Sequence, residues 1–246
     1  MPTETTLHDA AGARIADLLL DEADGARWCV LLATHAPTGV LAPALLTAYS
    51  GYRVVTKDDE LVGLLVGAGA RIRRRAHDYE FDLAAVPAEW AEAAAPPGFR
   101  LSREMDPVAL GPAKDAANPP GHPDHETGMD HVADLRELLS GAVIGANVPA
   151  ATWQVSDGDG PCGGIVVSER AARDGGTFTW VLDVFVHPRH QGRGLGGVLL
   201  RRALAGAAAA GYPRMGLVVT DGNPARAVYD RVGFRLVSSG TSVDVP

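Results

Sequence analysis

His187-Pro188-Arg189-His190-Gln191-Gly192-Arg193-Gly194-Leu195-Gly196-Gly197 decides the reading of this chain. The apolar run Trp180–Val186 precedes it and reads as a buried strand; Val198–Leu204 follows and reads as a helix. A strand, a glycine-rich turn and a helix N-terminus together make an anion cradle. Glycines let the backbone come close, and the unpaired N–H groups of the first helical turn point at the ligand. Arg193 adds a charged donor. A pyrophosphate-bearing ligand is the expected occupant.

Three phosphate patterns compete for this loop. The Walker pattern needs a Gly-Lys-Ser/Thr ending, which the chain lacks. The dinucleotide pattern is met loosely by Gly192, Gly194 and Gly197. Its acidic ribose partner is missing, since Ala210-Gly211-Tyr212-Pro213 fills that region. The spacing Q-x-x-G-x-G fits, as Gln191, Gly194 and Gly196. Downstream, Leu217–Thr220, then Asn223, Tyr229 and Gly233-Phe234 give a strand, an Asn-led helix with a tyrosine, and Gly-Phe.

Together these two motifs resemble the GCN5-related N-acetyltransferase (GNAT) family over residues 98–246. The resemblance implies an α/β fold with a mixed sheet, acetyl-CoA as co-substrate, and direct transfer of an acetyl group to an amine in a ternary complex. It implies that the backbone of Val184, Phe185 and Val186 pairs with the pantetheine arm, and that one N–H there donates to the thioester oxygen. Gln191, Gly192, Arg193, Gly194, Leu195, Gly196 and Gly197 would hold the pyrophosphate. Tyr229 would protonate the departing thiolate, or is a packed aromatic; a phenol, with a pKa of roughly 10, suits the donor role. Asn223 would bond the pantetheine amides or cap its helix. It stands six residues before Tyr229, where the family pattern has seven.

The base is less determined. Relatives carry Glu-Asp on the central strand; here the pair is Leu182-Asp183. Asp183, placed by strand alternation on the face opposite Leu182, is a substrate anchor, a base through water or an ion-pair partner. His187 reads as a surface residue. Residues 118–131 gather His122, Asp124, His125, Glu126, Asp130 and His131. Pro123 breaks the ligand spacing, so a solvated loop or acceptor contacts are expected there rather than a metal.

Composition bounds the rest. The chain has 246 residues, 46% of them hydrophobic, and a formal charge of −8. That charge argues against nucleic acid as partner and suits a cationic amine, whether small molecule or peptide. Mean hydropathy is +0.03, and the longest uncharged apolar stretch, Leu61–Ala70, is too short to span a bilayer. The start lacks the order of a signal peptide, and Cys29 and Cys162 read as two reduced thiols. A cytoplasmic protein without membrane contact is expected, with a homodimer admitted as its assembly. A non-catalytic acyl-CoA-binding module is the alternative to the enzyme.

Residues 1–95 carry no glycine cradle and read as an α/β extension. They are a degenerate half of the same fold or an unrelated addition. Phe81–Pro87 echoes Leu182–Pro188 in placing an Asp before an apolar strand closed by Pro. Within this region a helix is expected over 10–22, a strand or helix at 28–32, a helix at 40–49, a hairpin over 52–66 around Lys57–Glu60, a strand at 77–86 and a linker at 87–97. The run Arg71–Arg75 is a solvated edge or a grip on an anion. Beyond it, strands are expected at 99–102, 152–155, 164–167 and 177–186, with Asp157–Gly160 as a hairpin turn. Helices are expected at 107–117, 130–139 and from Val198 onward.

Overall fold

The computed structural model describes residues 2–23, 25–172 and 175–246. The chain divides into two compact units, 1–77 with 238–246, and 78–237. These are not the consecutive blocks 1–95 and 98–246 expected above. The segment 78–95 goes with the second unit and the last nine residues with the first.

In the first unit β1 (Thr3–His8), β2 (Arg14–Ala23) and β3 (Ala26–Thr34) form an antiparallel meander. Helix α1 (Thr38–Ala48) then crosses to β4 (Arg53–Thr56), parallel to β3, and α2 (Asp59–Gly67) leads to β5 (Arg71–Asp82). The carboxyl-terminal strand β11 (Arg235–Asp244) pairs antiparallel with β4. Leu18, Cys29, Leu41, Leu45, Val54, Leu61, Leu65 and Val243 fill the core.

Two expectations fail here. The segment expected as a helix at 10–22 is a turn followed by strand β2 from Arg14, because pairing with β1 and β3 overrides the helical spacing of Ile15, Leu18 and Leu19. The second arm of the expected hairpin is helix α2. Asp58 Oδ1 accepts from the N–H groups of Glu60 and Leu61 at 2.9 and 3.1 Å, which caps it. The buried Leu61, Val62 and Leu65 then share one face. The Arg71–Arg75 run lies on β5, exposed along its length.

The second unit takes the end of β5, closed by a 3-10 turn at Leu83–Ala85, so the strand expected at 77–86 starts earlier, at Arg71, and stops earlier, at Asp82. The expected linker contains another such turn, Ala88–Glu92, whose Trp90 packs on Phe81 with ring centroids 5.8 Å apart. Then come β6 (Arg100–Ser102), α3 (Pro107–Ala117), α4 (His131–Ser140), β7 (Trp153–Ser156), β8 (Pro161–Ala171), β9 (Thr177–Val186), α5 (Leu195–Ala209), β10 (Arg214–Thr220) and α6 (Arg226–Val232). Strand order is β5-β10-β9-β8-β7-β6, with β9 and β10 parallel. Here the sequence reading holds nearly element for element.

Helix α5 covers one sheet face, where Leu199, Leu200, Ala203 and Leu204 meet Val181, Val186 and Leu217. Helices α3 and α4 cover the other, where Leu110, Leu135 and Leu138 meet Val166 and Phe185. Among the described residues no helix is long and apolar enough to cross a membrane.

One element order occurs twice along the chain: β1-β2-β3-α1-β4-α2-β5 matches β7-β8-β9-α5-β10-α6-β11, although most of β11 lies in the first unit. Both central strands carry a one-residue bulge against their hairpin partner. Asp17 and Leu18 face Ala33 and Leu31, leaving out Leu32; Val166 and Val167 face Asp183 and Val181, leaving out Leu182. The counterpart of β9 is therefore β3. The Phe81–Pro87 echo falls on the end of β5 and its 3-10 turn instead.

Candidate active site

The Leu182 bulge corrects the alternation expected of the central strand. Val181 and Val184 face α5, whereas Leu182 packs toward α3 and α4. The extra residue keeps Asp183 on the α3 side as well, where its Oδ2 lies 2.6 Å from Lys114 Nζ. Lys114 also pairs with Asp134 at the start of α4. Burial pushes the Asp183 carboxyl above the usual carboxylate range, against the pull of the lysine. Burial would also lower the ammonium, but Asp183 and Asp134 outweigh it and hold Lys114 above the ordinary lysine value. Lys114 is therefore a charged partner, not a neutral amine. The structure thus shows Asp183 in an ion pair with Lys114.

Sequence reading missed Lys114. Its signal was a lysine at the third place of the apolar stripe Leu110, Ala113, Lys114, Ala117. A charge on a buried stripe calls for a buried opposite charge, and Asp183 in an apolar strand supplies it.

Past the bulge, β9 is paired on one side only. Val184, Phe185 and Val186 face Ile165, Gly164 and Gly163 of β8. On the other side the parallel pairing with β10 is confined to Thr179–Met215 and Trp180–Gly216. The ladder ends there, leaving an opening in the pairing along residues 181–186, which have no partner on β10. The Val186 carbonyl accepts from Gln191 Nε2 at 3.0 Å. The Gln191 side-chain amide thus braces the turn against the end of β9.

The turn itself is built for backbone donors. Gly192 and Gly194 take φ of 76° and 83°, a region other residues enter at a cost. A Cβ on either would meet nothing within 4 Å, so the surface there is open. The first donor of the α5 ladder is Val198 N–H, to Gly194 O at 3.1 Å. The N–H groups of Arg193–Gly197 precede it and lie outside the ladder. Leu195 offers only its backbone, since its side chain is buried. The Arg193 guanidinium stands 5.9 Å from the Phe99 ring centroid.

Beneath the turn, His190 Nε2 meets Asp157 Oδ2 at 2.7 Å, and Arg189 reaches the same oxygen at 3.2 Å. The N–H of Asp159 first, and then His190, hold the Asp157 carboxyl below its ordinary range. Cys162 lies close enough to Asp157 and His190 for the three to share an ion. The Arg189 guanidinium already neutralises the carboxylate, which suits a brace better than a cation site. Burial pushes the Cys162 thiol up and that of Cys29 up to about 12, so neither is a ready nucleophile.

Tyr229, on α6, is buried between Tyr79 and Phe234, with ring centroids 6.4 and 6.0 Å away. Burial first, then the charges of Asp183 and Asp124, push its phenol above the usual range. Asn223 lies before α6, its Oδ1 accepting from Ala225 N–H at 2.8 Å. Its Nδ2 donates to Asp124 Oδ2 at 2.6 Å, and Thr220 Oγ1 donates to the other oxygen of Asp124. This is a turn ahead of α6 rather than the expected cap, since the N-cap position is Ala225 and no side chain caps the helix; the other end of the Asn223 side chain holds the 118–131 loop. His125 of that loop pairs with the Asn118 carbonyl at 2.7 Å, and His187 Nδ1 accepts from Arg189 N–H at 3.2 Å.

The family model described as "Acetyltransferase (GNAT) family" matches residues 117–234. No curated protein matches the chain. Among solved structures it is similar to a GCN5-related N-acetyltransferase from Sphaerobacter thermophilus, at 15% identity and a TM-score of 0.67, over 97% of this chain and 78% of that one. A GCN5-related N-acetyltransferase from Kribbella flavida gives 16% and 0.58, over 100% and 90%. A tandem GNAT protein of the clavulanic acid biosynthesis pathway gives 15% and 0.54, over 95% and 79%. These likenesses establish a shared fold. Residues 117–234, just under half of the chain, carry the match to the GNAT acetyltransferase family, and they include the opened strand pair, the glycine turn and Tyr229.

Proposed function

We propose that the second unit transfers an acetyl group from acetyl-CoA to an amine, with both substrates bound together. One observation carries this reading. The free N–H groups of Arg193–Gly197 stand at the same end of β9 as the opening between β9 and β10. A diphosphate fits the first and an extended pantetheine arm the second.

Acetyl-CoA would bring the activated thioester. The chain's residues do the remainder. The peptides from Gly192 to Gly197 hold the diphosphate, with Arg193 beside it. The free edge of Val184 and Phe185 aligns the arm, and a peptide N–H near the Leu182 bulge donates to the carbonyl oxygen as negative charge gathers there. Tyr229 keeps its proton at neutral pH and delivers it to the departing sulfur. Asp183, tied to Lys114, fixes the bulge and is a positioning residue in this scheme. An acidic rim favours a cationic amine, small molecule or peptide.

We infer further that the first unit is a degenerate copy of the same fold, as the shared element order and the matching bulges support. Its turn, His35–Thr38, has Pro37, without an N–H, in place of the glycines. One acetyl-CoA per chain is expected.

Thiol release and mass detection with acetyl-CoA and an amine panel test the proposal. Stabilisation by NADH and not by acetyl-CoA in a thermal shift would refute it. A second reading, an acyl-CoA-binding module without turnover, is favoured by the engagement of Asp183 with Lys114. Tight binding without thiol release across the panel would select it.

A further inference from the structure

The segment 118–130 leaves α3, which packs on β8 and β9, and returns to α4 on the same face. Between these points it reaches the end of β10, where Thr220 and Asn223 both donate to Asp124. It therefore spans from the face of β9 to the end of β10, across the opening between them. It is ordered by its own turns: His122 N–H donates to Pro119 O at 2.9 Å and His125 N–H to His122 O at 3.0 Å. Pro123 stands 3.9 Å from where a Cβ on Gly222 would be. The phosphate turn leads into α5 on the opposite sheet face.

Resting on the function proposed above, we propose that Asp124 is a positioning residue: it pins the 118–130 segment as a wall over the opening, on the face away from α5, and keeps water from the thioester. Two features beyond the loop's placement support it. Both carboxylate oxygens are engaged, one by a hydroxyl and one by an amide, which fixes the side chain in two directions. Asn223 spends its two ends on Ala225 and on Asp124, so the start of α6 and the wall share one anchor. The raised phenol of Tyr229 agrees with a carboxylate held nearby.

Without the latch, water reaches the thioester and attacks the carbonyl carbon; the carbon–sulfur bond breaks, and acetate and the free CoA thiol result. The test uses the whole chain with acetyl-CoA and no amine, and reads thiol release, acetyl-CoA affinity by calorimetry, and hydrogen exchange over 118–130. Asp124→Ala is expected to raise hydrolysis at least fivefold, leave affinity within about twofold, and speed exchange in the segment. Asp124→Asn can still accept from Asn223 and donate to Thr220 Oγ1, so it should stay within twofold of the parent on all three. Thr220→Val, which loses one donor, should fall between them and serves if Asp124→Ala fails to fold. Unchanged hydrolysis and exchange in Asp124→Ala would overturn the proposal, as would an Asp124→Asn as leaky as Asp124→Ala. Failure of the parent to bind acetyl-CoA would refute the coenzyme reading and the wall's role over a thioester. The exchange readout would still show separately whether Asp124 pins the segment.

Discussion

Replacing Lys114 by Met leaves the stem's volume and removes the charge between Asp183 and Asp134. The lysine side chain is 8% exposed and its partners 18% and 24%, so the pair is mostly out of water. Taking one partner from a buried pair costs about 3–5 kcal/mol; the partial access of Asp134 places the loss near the low end, about 3 kcal/mol. In a unit of this size that is roughly 6–12 °C in Tm. The pH dependence has a definite sign. The Asp183 carboxyl titrates higher folded than unfolded, so between the two values the native state holds more protons. Stability therefore falls as pH rises through that interval. Loss of the ammonium extends the interval upward, so Lys114→Met should lose more at pH 8 than at pH 5. Urea melts at both pH values measure this, and adding Asp183→Asn should recover about 1–2 kcal/mol at pH 8. A loss under about 1 kcal/mol at pH 8, or equal losses at both, would refute the buried-pair argument.

Three further outcomes are expected. Gly194→Asp puts a carboxylate in the cradle and a non-glycine residue at a φ of 83°; acetyl-CoA binding by calorimetry should vanish while the circular dichroism spectrum persists. Tyr229→Phe should lower kcat about 10–100-fold and change acetyl-CoA affinity less than threefold; an unaltered rate would leave the ring a packing residue. Gly206→Ala drives a Cβ into the Ala150 carbonyl oxygen, and the overlap should cost about 3 kcal/mol, read as a lowered denaturation midpoint.

The second unit was legible because its signals are local. The Asp157–Gly160 turn, the glycine run after β9 and the apolar stripe of α5 each specify an element within a few residues. The first unit was less so. Ile15, Leu18 and Leu19 fit a helix until β1 and β3 claim them, and Leu61–Val66 is too short for periodicity to separate strand from helix. At the site, the tight turn ahead of α5 could be read from glycine spacing alone. The Lys114–Asp183 pair and the Asp124 latch could not, because each joins residues nearly seventy or more positions apart. The bulge at Leu182 was hidden for another reason: its signal lies in the register with β8, not in the residue.

The partition of the chain carries a consequence for biosynthesis. The first unit comprises residues 1–77 and 238–246, with Val243 fully buried in its core. Residues 1–77 leave the ribosome well before 238–246 and lack β11, the neighbour of β4, until that later segment is made. During that wait β4 keeps an uncovered edge, the kind of surface on which nascent chains stick to one another. Cutting the chain at the middle to isolate either half would make that exposure permanent.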